Sequence, residues 1–201
     1  MIKNMLKTGL FLFIVSAISG LLLAYSESIT GPIILENQLK AELEAQNNIL
    51  PSKAFKDFNV EEAGKTVNFK VGFDENNKVT GAVFKVSPRG FGGPINTLVG
   101  INADGKVTGY KILSLSETPG LGSKLTSEKF TENLKTLLAL NSSPRFKVKK
   151  DGGDVDAITA ATISSRAFCV GLSEAQNTFN TYKTQILEYK APEADLTGGA
   201  K

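Results

Sequence analysis

Small and hydroxyl-bearing residues crowd the stretch Asp156-Ala157-Ile158-Thr159-Ala160-Ala161-Thr162-Ile163-Ser164-Ser165. Beyond it Phe168, Leu172, Ala175, Phe179, Tyr182, Ile186 and Tyr189 follow at alternating spacings of four and three, one continuous face of a long helix. The first turn of that helix must fall near Thr162, where unpaired backbone N–H groups and the helix dipole favour an anion. A phosphate there gains ~0.3–1 kcal/mol from the dipole and more from charge-assisted hydrogen bonds. Ala160 and Ala161 leave the approach open. Ordinary helix capping by Thr159 or Thr162 accounts for the same residues, so the pattern alone leaves two readings, a cap and an anion site.

Two absences restrict the chemistry. The chain has no histidine and one cysteine, Cys169. That removes Ser-His and Cys-His nucleophile pairs, imidazole metal sites, an intramolecular disulfide and a cysteine-ligated iron–sulfur cluster within this chain. Any redox chemistry must be carried by a bound cofactor. Beside Phe168 on the helix, Cys169 reads as a small buried hydrophobe. The formal net charge of +3 is spread among acids with no basic stripe, which argues against nucleic acid as a partner. With 201 residues and 41% hydrophobic content, one folded domain is expected once any membrane segment is set aside.

The elements that position this stretch are legible upstream. Val67, Phe69, Val71 and Phe73 alternate with polar or small residues as a half-buried strand, residues 74–77 turn the chain, and residues 78–86 return. A second copy follows at a uniform offset of 28 residues, Val99-Gly100-Ile101 and Lys106-Val107-Thr108-Gly109 matching Val71-Gly72-Phe73 and Lys78-Val79-Thr80-Gly81. Two similar hairpins within one domain are predicted. Each runs out into a loop of glycine and proline, residues 88–94 and residues 117–122, open in shape yet stiff in backbone. Thr126 is placed as the N-cap of a helix with Phe130, Leu134 and Leu137 on one face, ending near Asn141-Ser142. Residues 146–150 form a short extended piece, and residues 151–154 turn into the opening stretch.

At the other end of the chain, an 18-residue run from Thr8 to Tyr25 carries no charge, about 27 Å of helix at ~1.5 Å per residue. Lys3 and Lys7 precede it and Glu27 follows, so the amino terminus should stay cytoplasmic and the remainder should cross. The run exceeds a usual signal-peptide core, which favours a retained anchor over a cleaved signal. After Gly31-Pro32, Leu35, Leu39 and Leu43 mark a short amphipathic helix ending near Leu50-Pro51. The organisation expected is a cytoplasmic N-terminus (1–7), a transmembrane helix (8–26), a juxtamembrane helix (27–51), a folded domain (52–190) and a C-terminal tail (191–201).

The order Asp156-x-x-Thr159-Ala160-Ala161-Thr162 resembles the signature of the covalent FMN-binding domains, Asp-x-x-(Ser/Thr)-(Gly/Ala)-Ala-(Thr/Ser). The loop Glu117-Thr118-Pro119-Gly120-Leu121-Gly122 is similar to the corresponding segment in the G subunit of Rnf electron-transport complexes and in the C subunit of the sodium-translocating NADH:quinone reductase. Anchor, loop and threonine motif occur in the family's order, and a length near 200 residues fits the Rnf protein better. The resemblance implies an α+β fold, a single transmembrane helix followed by an FMN-binding domain of two β-hairpin units with packed helices. It implies FMN attached to the Thr162 hydroxyl as a phosphoester by a flavin transferase that uses FAD and magnesium. Ser164 and Ser165 match the hydroxyls that usually follow, and Ala160 stands where the family often has Gly. Glu117, Thr118 and the Gly120-Leu121-Gly122 backbone are expected near the flavin ring or its ribityl chain. The implied role is electron relay within a ferredoxin/NAD-coupled, ion-translocating membrane complex, beside its other subunits and on the extracytoplasmic side. The quinone-reductase protein and a cofactor-free membrane-anchored scaffold remain the alternatives.

Overall fold

The structure, a computed structural model, describes residues 2–62, 65–141 and 143–189. The C-terminal tail from 191 onward lies outside the described residues, as does Ser142 at the expected end of the second helix. The chain divides into two compact units between Glu42 and Leu43.

The first unit is helical throughout its described residues, all belonging to α1 (Ile2–Ile49). This helix is long and apolar enough to cross a membrane, and Leu10, Phe11, Phe13, Leu21, Leu22 and Leu23 stand exposed along it. The separate amphipathic helix expected after Gly31-Pro32 is continuous with the apolar one, since α1 runs through Pro32. An interior proline removes one helical hydrogen bond and costs about 3 kcal/mol. Hydroxyls in the preceding turn add bonds to its carbonyls: Ser28 Oγ donates to Tyr25 O at 2.8 Å and Thr30 Oγ1 to Ser26 O at 2.9 Å. The Leu35, Leu39 and Leu43 stripe is exposed, whereas Ala45, Gln46 and Ile49 on the following turns are buried.

The second unit is built on a five-stranded antiparallel meander in the order β1-β2-β3-β4-β5. Its strands are β1 (Ala54–Glu62), β2 (Lys65–Phe73), β3 (Val79–Val86), β4 (Ile95–Asn102) and β5 (Val107–Leu115). The two predicted hairpins are β2-β3 and β4-β5, and β1 adds an edge strand that the periodicity does not mark. One sheet face carries Phe69, Val71, Ala82, Phe84, Val99 and Ile101 into the main core. The helix α3 (Thr162–Glu188) covers that face, and every apolar position expected on its buried side from Phe168 to Ile186 is buried. Each large side chain so placed is worth about 1.5–3 kcal/mol. Rings knit the layers: Phe69 and Phe84 lie 4.9 Å apart, and Phe168 meets Tyr110 at 5.0 Å and Phe130 at 5.6 Å edge to face. Phe130 belongs to α2 (Glu128–Leu140), whose N-cap is Ser127, one residue beyond the expected Thr126. Ser127 Oγ accepts from Phe130 N, while Thr126 Oγ1 donates to Ser123 O.

The 28-residue repeat extends to hydrogen bonds. Asp74 Oδ1 accepts from the backbone N–H of Asn76 and Lys78, and Asn102 Oδ1 accepts likewise from Asp104 and Lys106. A register shift follows Gly72 in one hairpin and Gly100 in the other. Gly72, Gly100 and Gly109 clear the second sheet face, where Ile49 at the end of α1 and Ser52 after it lie, whereas Gly81 makes room for the β4 backbone at Ile101 and Asn102. Thr108 Oγ1 donates to Ile49 O, and Ser52 Oγ bonds Thr80 Oγ1 at 2.6 Å, so the two equivalent threonines hold neighbouring parts of one segment. Ala45, Ile49 and Leu50 close a second small core with Val83 and Leu98.

Cys169 is buried in the main core, and burial pushes its thiol up to about 12. At pH 8 about one part in ten thousand is thiolate, so iodoacetamide should leave the native chain unlabelled and label it only in urea. Full-rate labelling of the native chain would contradict this packing.

Candidate functional site

The strands β3 and β5 run in the same direction, so their glycine-rich exit loops leave from one end of the sheet. There the two loops meet the start of α3 around Glu117. Glu117 as a residue is 8% exposed. Glu117 Oε1 accepts from Phe91 N at 2.8 Å and Gly92 N at 3.4 Å, and Oε2 accepts from Ser164 Oγ at 2.8 Å. Three segments distant in sequence are thereby tied to one side chain whose charge is met by two backbone N–H groups and a hydroxyl. The glycines make this approach feasible: a Cβ at Gly90 or Gly122 would collide with the Glu117 carboxylate, and one at Gly92 with Ser116 O.

At the start of α3 neither Thr159 nor Thr162 serves as a side-chain cap. The N-cap is Ala161, and no side chain caps the helix. Thr162 is the first helical residue, half-buried, and its hydroxyl has no hydrogen-bond partner among the described residues. The first bond of the helix runs from Ser165 N to Ala161 O at 3.0 Å. The N–H groups of Thr162, Ile163 and Ser164 therefore have no partner among the described residues, and no acidic residue occupies the first turn. A 27-residue helix thus presents three free donors and the positive end of its dipole beside a free hydroxyl.

The backbone just before the helix is strained at its alanine. Ala160 has φ 63°, in the left-handed region. Glycine takes that conformation without strain and other residues at about 1–2 kcal/mol, which accounts for glycine's frequent use at the matching position in the resembling family. Ser165 fixes the same turn: it is fully buried, its hydroxyl donates to Ala161 O and accepts from Ile158 N, both at 3.0 Å. Ser164 and Ser165 are thus engaged internally.

Beside the helix start lies a cavity of about 360 Å³, within the range of cofactor pockets. Of the residues singled out in the sequence, Glu117, Thr118, Leu121, Gly122, Ala160, Ala161, Thr162 and Ser164 line it. Gly120, Thr159, Ser165 and Asp156 do not. Gly120, at φ 76°, forms the turn of its loop, and its N–H donates to Ser123 Oγ. Thr159 is exposed. Asp156 pairs with Lys149 at 2.8 Å and lines a separate groove against α2. Two further lining residues, Phe91 and Ile163, are not marked by the motifs. A lone phenylalanine within a glycine-proline loop is the available signal for the first.

Ion pairs hold the segment leading into the site. Arg166 on α3 grips Asp151 with two bonds of 2.7 Å, and this hydrogen bonding holds the Asp151 carboxyl below its ordinary range. Asp154 accepts from Arg145 N at 2.8 Å, which lowers its carboxyl likewise. The segment expected to be extended makes a parallel bridge from Val148 to Val155, followed by a 3₁₀ turn at Lys149–Asp151.

Comparison with known proteins bears on this geometry. Residues 90–177 match the model of the FMN-binding domain family, a span that includes the Phe91 loop, the Glu117 loop and the start of α3. The chain is 30% identical over 200 residues to the G subunit of the ion-translocating oxidoreductase complex of Vibrio vulnificus (strain YJ016), covering 93% of this chain and 95% of the relative. Its identity to the G subunit of the Na(+)-translocating ferredoxin:NAD(+) oxidoreductase complex of Acetobacterium woodii is 30%, covering 85% and 89%. For the G subunit of the ion-translocating oxidoreductase complex of Methanosarcina acetivorans it is 33%, covering 86% and 93%.

Proposed function

The chain belongs to the family of G subunits of ion-translocating oxidoreductase complexes, and from that premise we propose that it is a membrane-anchored electron carrier with FMN held as a phosphoester on Thr162. The observation that carries this reading is the uncapped start of α3, where a hydroxyl without a partner among the described residues stands beside three free N–H donors at the edge of a cavity. The residues present fit the group: the N–H groups of Thr162, Ile163 and Ser164 suit a phosphate, and Thr118 with the backbone at Gly122 suits a polar ribityl chain. When bound, FMN supplies electron transfer that no side chain in this chain can perform. The chain's own residues bind and orient: the helix terminus fixes the phosphate, and Glu117 holds the two loops and α3 in one frame.

The complex is of the Rnf type, coupling ferredoxin and NAD, and a flavin transferase forms the bond during maturation. A covalent link suits a domain on the extracytoplasmic side, where a dissociated cofactor would be lost by dilution. Lys3 and Lys7 before the apolar run, and Glu27 after it, support that orientation. One experiment tests both features. In spheroplasts coexpressing the chain with a flavin transferase, the denatured chain should give a fluorescent gel band that external protease removes while a cytoplasmic marker survives. A colourless band refutes the covalent flavin, and a protected band refutes the orientation.

A further inference from the structure

Gln46 lies in the last turns of α1, within the second unit, and is 1% exposed. Both polar atoms of its amide are buried, and neither Oε1 nor Nε2 has a hydrogen-bond partner among the described residues. Its helix neighbours Ala45 and Ile49 belong to the small second core that Leu50, Val83 and Leu98 complete. A buried amide without partners forfeits the hydrogen bonds it makes in water, whereas methionine, of similar length and helix propensity, would forfeit none. The residue at 46 therefore weakens the packed arrangement of this segment against one in which the amide meets water.

The fastenings of the segment to the sheet are uneven. From Ile49 onward they are hydrogen bonds: Thr108 Oγ1 donates to Ile49 O, Ser52 Oγ bonds Thr80 Oγ1, and Lys53 N donates to Phe73 O at 2.8 Å. Before Ile49, Ala45 is held by apolar contact, next to an amide that opposes it. The last turn of α1 also lacks a basic residue to offset the helix dipole. We propose that residues 43–48 form a flap that lifts from the second sheet face about Ile49-Leu50-Pro51, with the buried Gln46 amide as the element that eases the lift. Lifting wets the amide and uncovers Val83 and Leu98, while the bonds at Ile49, Ser52 and Lys53 hold. Because α1 continues through this flap into the first unit, the flap makes the joint between the two units adjustable. The proposal concerns the joint alone and stands whether or not the cavity holds FMN.

The test uses the full chain in detergent, with iodoacetamide as the probe and Val83→Cys as the reporter beneath the flap, since Val83 is 2% exposed. Cys169, buried in the main core, is the internal reference on the same chain, and the two sites are read separately by peptide mass. The introduced thiol should label about 100-fold faster than Cys169 or more, because a local opening is far more frequent than unfolding of the main core. Adding Gln46→Met should slow that labelling about ten-fold, as the unsatisfied groups are removed. Asn47→Met, at an exposed position of the same turn, should change it by less than about three-fold. Leu98→Cys is the second reporter and takes over if Val83→Cys does not fold. Amide exchange over residues 45–48, about ten-fold slower in Gln46→Met than in the wild type, gives the same reading without a reporter. An introduced thiol as unreactive as Cys169 overturns the flap. Unchanged or faster labelling in Gln46→Met overturns the role given to Gln46.

Discussion

Thr162→Ala should yield a chain that folds normally and carries no covalent flavin. The structure separates those outcomes because the Thr162 hydroxyl holds nothing in place: it caps no helix and has no hydrogen-bond partner among the described residues. Deleting it removes no interaction, and alanine is the better helix former by roughly 0.5 kcal/mol, so stability should change by under about 0.5 kcal/mol. The three N–H donors and the cavity remain, and FMN can still bind weakly without a bond. Fluorescence must therefore be read on the denatured chain, where only a covalent adduct survives. Thr162→Ser retains the nucleophilic oxygen and should keep the adduct, whereas Thr159→Ala, on an exposed side chain outside the cavity, should leave it unaffected. A fluorescent denatured band from Thr162→Ala would refute the assignment.

The parts of this molecule that are legible in sequence are those in which a period repeats. The apolar face of α3 is written at spacings of four and three, and the two hairpins are written twice at an offset of 28, down to the Asp74 and Asn102 turn bonds. β1 is not legible, because Lys56, Asp57, Asn59, Glu61 and Glu62 dilute the Phe58 and Val60 alternation, as charges on an edge strand do. Pro32 misleads in the opposite sense, since a proline predicts a break that a long helix can absorb. Around the site, the threonine motif and the Glu117 loop can each be recognised, but their junction cannot. Glu117 is joined to backbone N–H groups some 25 residues upstream, and backbone donors leave no mark on residue type. The left-handed Ala160 is equally silent in a single sequence, because alanine gives no signal of a positive φ.

Glu117 decides whether that junction is structural or chemical. Glu117→Ala would leave the buried Ser164 Oγ and the part-buried Phe91 N and Gly92 N without their acceptor, at about 1–3 kcal/mol for a buried unsatisfied group and less for the two amides that water can reach. The three share one partner and do not add, so a total of roughly 2–4 kcal/mol is expected, a fall in Tm of about 5–12 °C for a domain of this size. Glu117→Gln keeps the shape: its carbonyl oxygen can accept from Phe91 N and Gly92 N, and its NH₂ can donate to Ser164 Oγ. It should lose only about 1 kcal/mol by the same accounting of neutral against charge-assisted bonds. Flavin loading should follow the frame, sharply reduced in the alanine variant and largely retained in the glutamine variant. A carboxylate acting on the flavin ring would give the reverse signature, with Glu117→Gln shifting the flavin's reduction potential while Tm stays put. Calorimetry beside a redox titration of the two variants distinguishes the roles, and a potential shift without a Tm difference between Ala and Gln would remove Glu117 from the frame.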